Sequence, residues 1–127
     1  METNLRHRTK QFALRIITLY SALPKRGAAQ ILGTQILKSG TSPGAHYREA
    51  QRAKSDADFI SKIEGALQEL EETAYWLELI GESKIMSEKR LLPLHKETNE
   101  LIAIFVAIVK NVKARGRLRN KSKARPN

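Results

Sequence analysis

The side chains able to do chemistry in this sequence are mostly cations, and they gather in two places. Arg48, Arg52 and Lys54 fall within seven residues, and Lys110, Lys113, Arg115, Arg117, Arg119, Lys121, Lys123 and Arg125 fall within the last eighteen, where there is no Asp or Glu. A cationic array without acids releases condensed counterions when it meets phosphates, so it favours any polyanion. No aromatic residue occurs from position 110 onward, which points to contact with an RNA or DNA backbone without reading of bases. These eleven positions are the candidate nucleic-acid-binding residues.

Other chemistry is poorly served. A di-iron bundle site needs Glu-x-x-His on two helices, and none of His7, His46 and His95 has a Glu three residues before it. There is no Gly-x-x-x-x-Gly-Lys or Gly-x-Gly-x-x-Gly loop to cradle phosphates, and no cysteine for a nucleophile, a metal or a disulfide. Glu64, Glu71 and Glu78 recur at spacing seven and read as a solvated flank of a coiled-coil-like helix rather than as an acid/base or Mg²⁺ row. Gly40-Thr41-Ser42-Pro43-Gly44 would aim free amides at an anion if a helix began at Pro43, with Arg48 one turn on. Close helix packing is the simpler reading. Tyr75 and Trp76 sit beside Leu77 and Leu79 and read as core or subunit contact before base stacking. The expectation is a protein that is not an enzyme and carries no cofactor or metal.

The elements that must position these residues are helices. Leu5, Phe12, Ile16, Leu19 and Leu23 recur at helical intervals up to Pro24 and Gly27. A second stretch from Ala28 carries Ile31, Leu32, Ile36 and Leu37, and should kink or restart at Pro43 and run on to Ala53. Ser55 begins a capping pattern with Asp58, and Ile60, Ile63, Leu67, Leu70, Ala74 and Leu77 make a 3,4 seam that Gly81 should end. Ser87 can cap a last helix carrying Leu91, Leu94, Leu101, Phe105, Ile108 and Val112. With no strand signal, the fold expected is all-α, an up-and-down antiparallel four-helix bundle over residues 1–114. The tail 115–127 has almost nothing apolar to bury and should be a disordered basic arm.

Charge is placed unevenly along the 127 residues, at +8 over 1–54, −6 over 55–109 and +8 over 110–127, for a net +10. The start lacks a signal-peptide pattern, and the longest apolar run, Ile102 to Val109, is far short of the ~20 residues that span a bilayer. The expectation is a cytoplasmic protein with no membrane contact. Residues 101–109 are uncharged on every face, which implies burial against another subunit.

Three segments add a family resemblance. Lys38-Ser-Gly-Thr-Ser-Pro-Gly-Ala-His-Tyr-Arg-Glu-Ala-Gln-Arg-Ala53, Asp58-Phe-Ile-Ser-Lys-Ile63 and Glu71-Glu-Thr-Ala-Tyr-Trp-Leu-Glu-Leu79 resemble the four-helix bundle proteins encoded in intervening sequences of bacterial 23S ribosomal RNA genes. Leu91 to Leu101 fits as well, and the likeness covers roughly residues 10 to 115. It implies a small bundle without catalytic activity that assembles into a basic ring of five. It also implies kinship with the accessory variability determinant of diversity-generating retroelements, which partners a reverse transcriptase and binds nucleic acid. The function expected is a non-catalytic, oligomeric nucleic-acid-binding or scaffold protein, RNA being preferred on the family's name. The alternative is an interaction module that docks an acidic partner or a reverse transcriptase without touching nucleic acid.

Overall fold

The computed structural model describes residues 4–124. They form four helices, α1 Leu5–Ala22, α2 Gly27–Ala50, α3 Asp56–Glu82 and α4 Glu88–Ala124. Neighbours in sequence are neighbours in space: α2 packs most extensively on α3, α3 on α4 and α1 on α2, as in an up-and-down bundle, whereas α1 meets α4 sparsely. No helix is long and apolar enough to cross a membrane among the described residues.

The core follows the periodicity at most positions; Leu32, Leu37 and Ile108 are only partly buried, and two departures are larger. Phe12, Ile16, Ile36, Ile63, Leu70, Leu77, Ile80, Leu101 and Phe105 are fully buried, each contributing about 1.5–3 kcal/mol by leaving water. On α3, however, the buried row is Ile63, Ala66, Leu70, Thr73, Leu77 and Ile80. Ile60, Leu67 and Ala74 are only partly buried. The seam has the expected 3,4 spacing but is rotated, and the Thr73 that it brings inward meets a buried hydroxyl partner in Ser39 of α2 at 2.8 Å. Ile31 of α2, expected inside, is 65% exposed.

Local chemistry explains the helix ends. Ser55 Oγ accepts the Asp58 amide at 3.1 Å and Ser87 Oγ accepts the Arg90 amide at 3.2 Å, so both expected caps form. Gly81 does not end α3. It lies within the last turn, where a Cβ would stand 2.9 Å from Glu88 Cγ. The terminus is instead a Schellman arrangement in which Ile85 N donates to Ile80 O and Lys84 N to Gly81 O, with Lys84 in the left-handed region at φ 63.

Neither a restart of α2 nor a disordered tail is seen among the described residues. α2 does not restart at Pro43 but passes through it as one helix ending at Ala50, short of Ala53. Proline removes the bond to the Ser39 carbonyl and crowds that carbonyl with its ring, and packing on both sides holds the helix together through it. A Cβ on Gly40 would lie 2.5 Å from Ile16 Cγ1, and one on Gly44 3.2 Å from Thr9 Oγ1. The tail is not a disordered arm over residues 115–124, because α4 continues to Ala124. A helix already nucleated needs only propagation, Ala, Leu, Lys and Arg propagate well, and cations favour a helix C-terminus. Residues 125–127, with Arg125, lie outside the described residues, and the division at 114 has no counterpart in the helix.

Candidate nucleic-acid interface

Helical order splits the tail's cations into two stripes. Residues four apart share a face, so Lys113, Arg117 and Lys121 line one side of α4 while Arg115, Arg119 and Lys123 line nearly the opposite one. All six are exposed, as is Lys110. Two of them are matched by acids. Lys113 Nζ lies 3.5 Å from Glu64 and Arg119 pairs with Asp56, because α4 runs alongside the first half of α3. Lys110, Arg115, Arg117, Lys121 and Lys123 make no salt bridge among the described residues.

The other three candidates sit at and before the α2–α3 turn. Gln51, Arg52 and Ala53 close that turn with amides bonded to Tyr47, Glu49 and Ala50 carbonyls. This leaves Arg52 and Lys54 exposed. Lys54 and Arg115, sixty-one positions apart in sequence, line one polar cleft of about 370 Å³ together with Ser55, Asp56 and Phe59. Arg48 is separate. With Lys10, Thr9 and Gly44 it lines a shallow groove of about 250 Å³ between α1 and α2. The interface thus has one place where both cationic clusters converge, one outlying cation, and a helical extension beyond.

Phe59 and Lys10 were not legible as site residues. Phe59 stands just before the apolar seam that begins at Ile60, and only the fold sets its half-buried ring beside Lys54 and Arg115. The anion site considered at Gly40–Gly44 is absent, because those amides lie inside a continuous helix. Glu64, Glu71 and Glu78 are all exposed, and no group of three or more His, Cys, Asp or Glu could hold a metal among the described residues.

One charged group ties the scaffold together. Arg8 donates to both Glu97 oxygens at 2.7 and 2.8 Å and to Glu100 at 2.6 Å, spanning the sparse α1–α4 contact. Its hydrogen bonds to Glu97 hold the guanidinium pKa above its ordinary value. Burial raises the Glu69 carboxyl and Glu72 adds to the effect, while His46 and Lys38 oppose it.

The uncharged stretch of α4 divides as well. Phe105 is fully buried within the chain, its ring 5.8 Å from Tyr47, so it belongs to the protomer's core and not to a subunit contact. Ala103, Val106 and Ala107 face outward. Leu14, Ile17 and Leu92 also leave large apolar surfaces exposed.

Residues 2–107 match the family described as 23S rRNA-intervening sequence protein. A crystal structure of a protein with unknown function from the S23 ribosomal protein family of Bacteroides thetaiotaomicron VPI-5482 superposes with a TM-score of 0.76. It is 36% identical, over 83% of this chain and 97% of that one. No functionally curated protein matches the chain.

Proposed function

Since the chain belongs to the 23S rRNA-intervening sequence protein family, we propose that it is a non-catalytic, self-associating protein that binds nucleic acid through its basic end. The observation that carries this reading is the cleft where Lys54 of the α2–α3 turn meets Arg115 of α4, continued by the helical extension with Arg117, Lys121 and Lys123. Arg48, Arg52 and Lys110 widen the field, and Lys113 and Arg119 are half-neutralised by Glu64 and Asp56. Phosphates fit the cations, and the half-buried Phe59 ring offers one stacking surface in a protein otherwise built for backbone contact. RNA is preferred over DNA on the family's name alone.

Self-association, five copies being the number the resemblance suggests, is supported by the outward apolar groups Ala103, Val106, Leu14, Ile17 and Leu92. Several basic ends on one assembly would bind a long polyanion together through high local concentration. The experiment is a salt titration with labelled RNA and DNA, comparing the full chain with one ending at Ala114. Each phosphate that the shorter chain leaves unneutralised lowers the slope of log affinity against log salt by ~0.7 for single strands and ~0.9 for duplex. Equal slopes and affinities would overturn the reading.

A second reading, an interaction module docking an acidic partner such as an acidic face of a reverse transcriptase, is favoured by the acid-free groove between α1 and α4 lined by Arg15 and Arg90. It predicts no binding of bare nucleic acid at physiological salt.

A further inference from the structure

α1 carries Arg6, Arg8, Lys10 and Arg15 with no carboxylate, whereas α3 carries eight carboxylates and the single cation Lys62. The two helices stand across the core from each other, both packed on α2. Arg8 is matched by Glu97 and Glu100 of α4, but Arg15 makes no salt bridge among the described residues, so each copy keeps a basic edge at Arg15 and, on the far side, an acidic one at Glu71 and Glu78.

The basic edge is also the open one. Between α1 and α4 runs a groove of about 350 Å³ with an apolar floor that includes Leu19, Met86 and Leu94, cations Arg15 and Arg90 at its rim, and no carboxylate in its lining. On the acidic edge Tyr75 is 53% exposed, its ring 5.2 Å from that of Trp76. Glu71 and Glu78 are exposed four residues before and three after it, on the same face. Two grooves facing each other would oppose arginine to arginine, and two α3 faces would oppose carboxylates. Neither surface pairs with itself, and each complements the other in charge.

We infer that the Tyr75 face of α3 in one copy seats in the α1–α4 groove of the next, with the ring on the apolar floor and Glu71 and Glu78 toward Arg15 and Arg90. The inference rests on the self-association proposed above and names its contact. A contact between two different patches is heterologous, so it runs in one direction and closes as a ring when the rotation per copy divides a full turn.

The test uses two variants of the full chain, Arg15→Glu with Arg90→Glu, and Glu71→Lys with Glu78→Lys. All four residues are exposed, and circular dichroism checks that folding is kept. Each variant alone should associate about tenfold or more weakly than the unaltered chain in sedimentation, and a chain combining all four changes should regain association, because its groove and its α3 face are again opposite in charge at every contact whatever the number of copies. Tyr75→Ala should weaken association to a similar degree at unchanged helicity, and the sole tryptophan, Trp76, should shift its emission on dilution of the unaltered chain. Variants that assemble like the unaltered chain would overturn this contact while leaving self-association standing, as would a fourfold variant that associates no better than the two it combines. An unaltered chain that stays monomeric at micromolar concentration would overturn both.

Discussion

Ser39 Oγ of α2 and Thr73 Oγ1 of α3 lie 2.8 Å apart, both residues buried in the most extensive helix contact of the bundle. Thr73 spends its proton on the Glu69 carbonyl at 2.9 Å. Ser39 therefore donates to Thr73. Its only other acceptor among the described residues, the Ile36 carbonyl, is at 3.5 Å. Thr73→Val should then cost ~1–2 kcal/mol by stranding a buried donor, and Ser39→Ala about 1 kcal/mol. The double variant should cost less than the sum, which urea denaturation of the four proteins in the cycle measures.

Gly40 is the tightest point between α1 and α2. Gly40→Ala should cost ~1–3 kcal/mol by overpacking, since three Ile16 carbons stand within 2.8 Å of the added methyl. Gly44→Ala should cost less, because only Thr9 Oγ1 approaches closely. Adding Ile16→Ala to Gly40→Ala should be cheaper than Ile16→Ala in the unaltered chain. Thermal midpoints decide the order.

Lys84 holds the left-handed position of the α3 terminus that glycine occupies without steric cost. Lys84→Gly should stabilise the chain by about 0.5–1 kcal/mol with no change in assembly. A fall in stability would mean that the side chain contributes more than its backbone conformation costs.

Glu69 gives the pH dependence. Its carboxyl pKa is raised in the folded chain, chiefly by burial, so the folded state holds the proton more tightly than the unfolded one. Stability from this group falls as pH rises through the window between the unfolded value near ~4.3 and the folded one. Glu69→Gln should therefore stabilise the chain at neutral pH and give no gain below about pH 4. Denaturation at pH 7 and pH 3.5 checks both signs.

Phe105→Glu tests the core rather than assembly, and should abolish folding by placing an unpaired charge at a fully buried site. Val106→Glu, on the outward side of the same turn, should leave helicity intact. Far-ultraviolet circular dichroism separates the two.

The helices were legible because Phe12, Ile16, Ile63, Leu70 and Leu77 repeat at helical spacing, and Ser55 and Ser87 announce their caps. The phase of α3 was not. Ile60 and Leu67 outrank Ala66 and Thr73 in hydropathy, and the partners that satisfy Thr73 inside, the Glu69 carbonyl and the Ser39 hydroxyl, do not show in the pattern. Pro43 misled for a related reason, since the packing of Gly40 on Ile16 that carries the helix through it is a contact between helices. Of the candidate site, the cations were visible one by one in the sequence, but their grouping was not. Pairing of Arg119 with Asp56 depends on the helicity of a segment with nothing to bury, and the pairing of Lys113 with Glu64 and the meeting of Lys54 with Arg115 depend on α4 returning along α3.

The thin α1–α4 contact has a consequence for motion. α1 is held by α2 along one side and, on the other, mainly by the fork of Arg8 on Glu97 and Glu100. An element with few partners opens at lower free energy than the whole molecule unfolds. Its amides should exchange with solvent ahead of those of α2 and α3, in one cooperative step that the fork delays. High salt weakens partly exposed ion pairs, so the first helix becomes a wall whose breathing rate follows ionic strength while the α2–α3 pair stays shut.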